Sequence, residues 1–329
     1  MSADVIVGGA AGAAAPAASA AAASAASTAP IGPVVVAVDL GGTAMKGAVV
    51  SEDGRVVAEA TRATPSDGIL ESLVALLADL RDGAVADGLN VVGAGVATPG
   101  MLDETRGFVH YASNLGWRDV PLLDIVRDRL GLPVAVGHDV RAAGLAERTA
   151  GAAQGEDDVV LVPIGTGVAA ALVTAGGTIT GATGAAGEFG HIPVIPDGEP
   201  CTCGQRGCLE VYMSGAGVAR RYRAAGGEAL STRAIVARLG SDPLADRIWS
   251  EAVAVLAQGL DILTLLLDPG VIVLGGGVSH AGAALFDPLG ERMSAGLAWR
   301  ERPRVVRSAF GGDAGRAGAA LLAFGAAGA

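Results

Sequence analysis

The chain has 329 residues and a formal net charge of −11 at pH 7, which leaves no excess of positive charge for binding a nucleic-acid backbone. Its length allows two domains, each with its own core. Residues 1–32 are rich in Ala, Ser and Gly and contain no Lys or Arg, so they lack the positive start of a secretory signal. We expect a disordered leader and a cytoplasmic protein, since three cysteines fit a reducing compartment.

One pattern occurs twice along the chain. A buried strand from Val34 runs into Gly41-Gly42-Thr43, and two further strands follow at 44–50 and 55–60. Residues 157–180 repeat this order, with Gly165-Thr166-Gly167 after the first strand. Two copies of one strand, glycine turn and strand unit predict a duplicated domain with a cleft between the copies.

The segments between and after the copies alternate between strand and helix patterns. Strands are predicted at 91–97, 133–137, 271–274 and 304–310, and helices at 69–85, 140–150, 217–225, 232–239, 243–267 and 313–324. We expect the last helix to cross back to the first domain. This assigns residues 33–143 and 305–325 to an N-terminal α/β domain and residues 144–304 to a C-terminal α/β domain.

Three glycine-rich turns each follow a buried apolar strand, the third being Gly275-Gly276-Gly277. Glycine lets backbone N–H groups approach an anion, and a threonine hydroxyl adds a hydrogen bond to phosphate. Any one of these turns alone reads as an ordinary tight hairpin. Together with Asp39, placed to hold Mg²⁺ through water, they favour a nucleotide in the cleft.

All three cysteines lie within eight positions, at Cys201, Cys203 and Cys208, and His191 precedes them. Zinc takes Cys and His ligands in a closed tetrahedron, and flanking glycines let one loop supply all four. Buried structural cysteines beside an unrelated histidine, or a disulfide, are the alternatives; Cys201 and Cys203 are too close to pair comfortably. We interpret the four residues as a structural zinc site.

His138 and Asp139 end the predicted strand at 133–137, where ligand sites form in open α/β sheets. Asp139 is therefore well placed to act on a ligand. Its plainer interpretation is an N-cap for the helix from Val140 onward, a role that a catalytic base can share.

These motifs together resemble the ROK family of sugar kinases and regulators, which has the actin/hexokinase-like ATPase fold. The resemblance covers about residues 33–325, and the cysteine segment is its most specific part. It implies an α/β protein built from duplicated, ribonuclease H-like ATPase domains that flank a cleft. The motifs that carry it are Asp39-Leu-Gly-Gly-Thr43, Asn114-Leu-Gly-Trp117, His138-Asp139, Gly165-Thr-Gly167, Glu188-Phe-Gly-His191, Cys201-x-Cys203-Gly-x-x-Gly-Cys208-x-Glu210 and Gly275-Gly-Gly277.

The resemblance implies ATP-dependent phosphorylation of a hexose hydroxyl, most simply of glucose to glucose 6-phosphate, with Asp139 as the general base. It implies sugar contacts from Gly100, Asn114, His138, Asp139, Glu188, His191 and Glu210. It implies contacts to ATP and Mg²⁺ from Asp39, Gly41, Gly42, Thr43, Gly165, Thr166, Gly167, Gly275, Gly276 and Gly277. A homodimer or homotetramer is a further expectation from the family.

Two positions depart from the family pattern. His138 stands where most members have Asn, which bears on the identity of the sugar, and Val168-Ala169-Ala170 replaces further glycines beside the phosphates. Mannose, N-acetylmannosamine or another hexose, and polyphosphate as donor, stay open. So does a sugar-sensing regulator without catalysis, although residues 1–33 are too short and Ala-rich for the DNA-binding module of such proteins.

Overall fold

The computed structural model describes residues 31–328, so the predicted leader at 1–32 lies outside the described residues except for its last two positions. Helices and strands alternate along the described chain, as the sequence patterns indicate. The strands are β1 Val34–Leu40, β2 Ala44–Ser51, β3 Val56–Ala63, β4 Val91–Thr98, β5 Met101–Asp103, β6 Phe108–Ala112, β7 Trp117–Val120, β8 Val134–His138, β9 Val159–Pro163, β10 Ala171–Thr174, β11 Gly177–Thr178, β12 Val271–Gly275 and β13 Arg304–Arg307. The helices are α1 Ile69–Ala86, α2 Leu122–Leu130, α3 Asp139–Ala150, α4 Leu209–Met213, α5 Gly215–Ala224, α6 Thr232–Val236, α7 Pro243–Leu267, α8 Ala283–Gly296 and α9 Ala314–Ala327.

Two five-stranded sheets share one topology. The first has the order β3-β2-β1-β4-β8 and the second the order β11-β10-β9-β12-β13. In each sheet the first three strands in sequence pair antiparallel, and the last two run parallel to the first strand. The duplication predicted from the repeated pattern is therefore confirmed at the level of strand order.

The central strand β1 is buried along almost its whole length because sheet neighbours and helices cover it, as its unbroken valine run predicts. The edge strand β3 is mostly exposed and has an alternating sequence. Helix α9 packs on the first sheet through small side chains, which allow a close approach. Its buried alanines are Ala319, Ala320 and Ala323.

The largest core cluster lies under the second sheet and is organised around α7. Helix α7 is long and apolar enough, by length and composition, to cross a membrane, and half of that apolar stretch is buried inside the protein. Trp249, Leu256 and Leu260 on this helix are almost completely buried. We therefore describe α7 as the core helix that packs under the second sheet.

The predicted domain boundary at 305 needs a correction. Strand β13 pairs in parallel with β12, so residues 304–307 complete the second sheet rather than opening the return to the first. The return to the first sheet is made by residues 308–313 and α9. The second glycine turn also extends further than expected, because Ile164 bridges to Val168 and β10 begins only at Ala171.

Some elements were not predicted from the sequence. Strands β5, β6 and β7 form a small antiparallel sheet over the segment after Gly100, and α2 and α8 lie where no helix was predicted. We call the part built on the first sheet, with this small sheet, the first lobe, and the part built on the second sheet the second lobe.

Candidate active site

The carboxyl end of β8 places His138 and Asp139 side by side. Nδ1 of His138 lies 3.2 Å from Oδ1 of Asp139, and both atoms accept the backbone N–H of Val140, at 3.3 and 2.7 Å. The helix begins at Asp139 with His138 as its N-cap, so the two residues share the capping role foreseen for Asp139. Burial lowers the pKa of His138, although the Asp139 charge opposes this shift.

Asp39 is the last residue but one of β1, which pairs with β4 in the same sheet, and it lies close enough to Asp139 for the two charges to interact. Burial, with a smaller contribution from the Asp139 charge, raises the pKa of Asp39 to about 6 against the opposing effect of Lys46. Nζ of Lys46 donates a 2.7 Å hydrogen bond to the Gly312 carbonyl. A divalent cation beside Asp39 would offset the free-energy cost of keeping this buried carboxylate ionised. Asp39 therefore fits the Mg²⁺ role predicted for it.

The four predicted zinc ligands form one cluster. Their donor atoms all lie within 4.8 Å of one another, with Sγ of Cys203 3.7 Å from Sγ of Cys208 and Sγ of Cys201 3.7 Å from Nδ1 of His191. A tetrahedral site with Zn–S bonds of about 2.3 Å has neighbouring sulfurs about 3.8 Å apart. The donor set and spacing fit a closed zinc site. The three thiols are free, so the disulfide alternative does not describe this structure.

Glu188 and Glu210 flank the cluster of His191, Cys201, Cys203 and Cys208 along the chain. Nε2 of His191 lies 4.0 Å from Oε2 of Glu188, whose side chain is 60 % exposed. The charge of Glu188 also acts on His138, so the cysteine loop and the end of β8 border the same space. Oε2 of Glu210 accepts the Val168 N–H at 2.8 Å, which ties the cluster to the second glycine turn.

Asn114 lies beside the first glycine turn, and Gly100 lies against the strand that precedes Asn114. Gly100 follows β4 with φ of 114°, and its α-carbon packs against the Tyr111 carbonyl. Asn114 lies in a short 3₁₀ turn and packs against the α-carbon of Gly42, within the Gly41-Gly42-Thr43 turn. The predicted sugar residue Asn114 therefore neighbours a predicted phosphate turn.

The second and third glycine turns meet at one cavity. The Ile164 N–H donates to the Gly275 carbonyl at 3.0 Å, and the Val278 N–H donates to the Ile164 carbonyl at 3.1 Å. The cavity beside them has a volume of about 620 Å³, and Gly165, Thr166 and Gly277 line it. Gly276 packs instead on the Ile164 carbonyl, so it shapes the turn.

The opposite wall of this cavity was missed by the sequence analysis. It comes from α5, α6, α7 and the turn after β12, with the polar side chains of Ser231, Thr232, Arg233 and His280 and the indole of Trp249. These residues have no glycine pattern and come from three separate places along the chain, at 231–233, 249 and 280. The N-cap serine at 231, before α6, was the nearest local signal.

Comparisons with known proteins agree with this architecture. A family model described as ROK family matches residues 35–326. The glucokinase of Streptomyces coelicolor is 33 % identical over 312 residues, which is 88 % of this chain and 97 % of that protein. The crystal structure of a ROK hexokinase from Thermus thermophilus has a TM-score of 0.79 and 34 % identity, with 88 % of this chain and 98 % of that chain covered. A ROK family glucokinase from Streptomyces griseus, solved in complex with glucose and AMPPNP, has a TM-score of 0.76 and 34 % identity, with 88 and 99 % covered.

Two duplicated sheets around a cleft, with glycine turns at the strand ends, define an α/β protein of the actin/hexokinase-like ATPase fold. Within that fold, the chain belongs to the ROK family.

Proposed function

We propose that this protein is a hexose kinase that transfers the γ-phosphoryl group of ATP to a sugar hydroxyl, with glucose as the first candidate acceptor. The observation that carries the proposal is the position of Asp139. It lies beside His138, within range of the Asp39 charge, and Glu188 acts on the same histidine from the zinc loop. The similarity to glucokinases over 88 % of the chain supports it.

Phosphoryl transfer requires a protein mainly to position the phosphate donor and the acceptor and to neutralise the charge of the phosphates, and the cleft has residues for both. Asp139 accepts the proton of the attacking sugar hydroxyl. The oxygen of that hydroxyl forms a bond to the γ-phosphorus, while the bond between the γ-phosphorus and the leaving ADP oxygen breaks. Glu188, His191 and Glu210 hold the other hydroxyls, since carboxylates and imidazole suit vicinal diols. The 620 Å³ cavity receives the nucleotide.

Two metal ions complete the proposal. Mg²⁺ near Asp39 would neutralise the phosphates of ATP. Zinc held by His191, Cys201, Cys203 and Cys208 would be structural, because four protein ligands leave no open position for a reacting water. Its purpose would be to order the loop that carries Glu188, His191 and Glu210 before the sugar binds.

An assay of ATP-dependent ADP release over a panel of hexoses and N-acetylhexosamines tests the function directly. We expect turnover with glucose or a close relative, and turnover with Asp139→Asn reduced by on the order of 10²- to 10⁴-fold, the typical contribution of a positioned general base. Calorimetry should show that Asp139→Asn still binds the sugar. Sugar binding by the native protein without turnover of any sugar would point to a sugar-sensing protein, and normal turnover by Asp139→Asn would remove Asp139 as the base.

A further inference from the structure

Arg141 is a buried cation that the proposed reaction leaves without a role. It lies in the first turn of α3, two residues after Asp139, and is only 4 % exposed. Its Nε donates to Oε1 of Glu104 at 3.1 Å, and its Nη1 donates to the Gly184 carbonyl at 3.1 Å. Its Nη2 is buried and has no hydrogen-bond partner within residues 31–328. A guanidinium is costly to bury, so the two contacts it does make warrant a functional explanation.

The two partners of Arg141 belong to different lobes. Glu104 follows β5 in the first lobe, and the same Oε1 atom also accepts the backbone N–H of His138 at 2.8 Å. Glu104 therefore fixes the end of β8 that carries Asp139. Gly184 belongs to the second lobe, in the segment 179–188 that connects β11 to Glu188.

The segment 179–188 is packed directly on the first lobe at Gly184. This glycine has φ of 75°, and a Cβ there would lie 2.7 Å from the Leu102 carbonyl of β5. The other end of the segment is held by the second lobe, because the Ala170 N–H donates to the Gly187 carbonyl at 2.8 Å. Gly184 and Gly187 therefore anchor the segment to one lobe each, and Glu188 follows directly after the second anchor.

We propose that Arg141 is a positioning residue that sets the distance between the two sugar-holding walls. Its bridge from Glu104 to Gly184 keeps the segment 179–188 against the first lobe, so that Glu188 and Asp139 address the same sugar molecule. The inference rests on the proposed hexose kinase function. Lysine cannot replace arginine in this bridge, because it lacks the planar fork that reaches two acceptors in fixed directions.

Steady-state kinetics of Arg141→Lys and Arg141→Met test the bridge, with Arg148→Met as the matched control. Arg148 lies on the same helix and also bonds one carbonyl, of Glu156, and one carboxylate, of Asp157, away from Asp139 and Glu188. We expect both Arg141 variants to raise the KM for the sugar by on the order of 10- to 100-fold, as misplaced groups do, and to leave the KM for ATP nearly unchanged. The control should keep both values.

Hydrogen exchange without any ligand provides a second measurement. The amides of residues 181–188 should exchange faster in Arg141→Lys than in the native protein and in Arg148→Met, while those of α1 keep their protection. Glu104→Gln is the alternative variant if Arg141→Met fails to fold. It retains the acceptor for His138 but loses the charge opposite Arg141, so the amides of residues 181–188 should lose protection in it to a smaller extent. A folded Arg141→Lys with native sugar KM and native exchange would overturn the proposal. If the native protein neither binds nor phosphorylates any hexose, the proposed kinase function is wrong. The hydrogen-exchange comparison would still show whether Arg141 holds the segment 179–188 against the first lobe.

Discussion

Asp39 carries a carboxyl whose ionisation the folded protein opposes. Its folded-state pKa of about 6 exceeds the ordinary value of 3.8, mainly because the group is buried and also because Asp139 is near. Its contribution to stability is therefore fully present below about pH 3.8, where both states are protonated, and is lost as the pH rises through about 6. At neutral pH the protein holds a charge that destabilises the fold and suits a cation site.

Replacing Asp39 by Asn should therefore stabilise the protein and inactivate it. We expect Asp39→Asn to raise the free energy of unfolding at pH 8 by about 1–3 kcal/mol, and by about half as much at pH 5, which lies between the unfolded and folded pKa values. Urea denaturation at the two pH values measures this difference, and Asp67→Asn on the surface serves as the control. Lower stability of Asp39→Asn at pH 8 than of the native protein would contradict the assignment.

Single residues at strand ends could be predicted because a buried strand leaves few positions for a polar side chain. His138 and Asp139 followed from this rule, and so did Asp39. Arg141, Arg233 and His280 did not, because each lies within or near a helix where a charged residue usually faces solvent. What these side chains contact depends on how α3 packs against the first lobe and how α6 packs against the cavity, and the local sequence does not show either packing.

The cysteine loop, residues 201–208, is the element that the proposed zinc ion would order. Cys203 is exposed and Cys208 is buried, and burial together with the neighbouring thiols raises the pKa of Cys208 to about 12. A thiol in that state does not ionise near neutral pH without a cation. The 3.7 Å separation of the two sulfurs fits the zinc site proposed above.

Cys203→Ser should lose zinc and most sugar phosphorylation while the first lobe stays folded. The ligand lies at the loop surface, so its loss leaves the sheets intact but frees His191 and the Cys208–Glu210 segment. Metal analysis of the purified variant gives the zinc content, and the sugar KM gives the consequence. Full activity in a zinc-free variant would show that the loop is ordered without the metal.

The third glycine turn contains two adjacent glycines with opposite requirements. Gly276 has φ of 73° and ψ of 178°, a region essentially restricted to glycine, and a Cβ there would lie 2.4 Å from the Ile164 carbonyl. Gly277 has open space around its α-carbon and lines the cavity. The first glycine serves the fold, whereas the second leaves room for a ligand.

Alanine at each of these positions should separate the two effects. We expect Gly276→Ala to lower the free energy of unfolding by about 2–4 kcal/mol, from strain and the backbone clash together. Gly277→Ala should cost little stability and raise the KM for ATP, because its methyl group enters the cavity. Thermal unfolding and ATP kinetics of the two variants measure this difference. Equal stability of both variants would mean that the turn relaxes around residue 276.

Element prediction succeeded where the pattern was repeated and failed where it was broken. The strand and glycine-turn pattern was predicted correctly because it occurs in two copies. The long stretch of apolar residues at helical spacing predicted α7 with the bounds that the structure has, 243–267. The small sheet of β5 to β7 was missed because its strands are three to five residues long. Helix α8 was missed because Pro288 lies inside it.

At the scale of the whole molecule, two chain connections join the lobes within residues 31–328, and the buried carboxylate of Glu147 lies where these connections meet. Glu147 on α3 is fully buried and accepts the backbone N–H groups of Ala309 and Phe310 at 3.1 and 3.0 Å and the hydroxyl of Ser308. It also accepts the Ala152 N–H at 2.8 Å. Helix α3 leads from the first sheet to the second, and residues 308–313 lead back, so both connections meet at this carboxylate.

Glu147→Ala should therefore destabilise the protein and loosen the coupling of its lobes. The change leaves three backbone N–H groups and a hydroxyl buried without their acceptor, which costs about 3–5 kcal/mol for the set. We also expect a broader urea transition with a lower m-value, because the two lobes can then unfold separately. Glu228→Ala, which removes an exposed carboxylate paired with Arg238, is the control and should leave the transition sharp. A sharp, cooperative transition for Glu147→Ala at nearly native midpoint would show that other contacts between the lobes, such as the Arg141 bridge, are sufficient to hold them together.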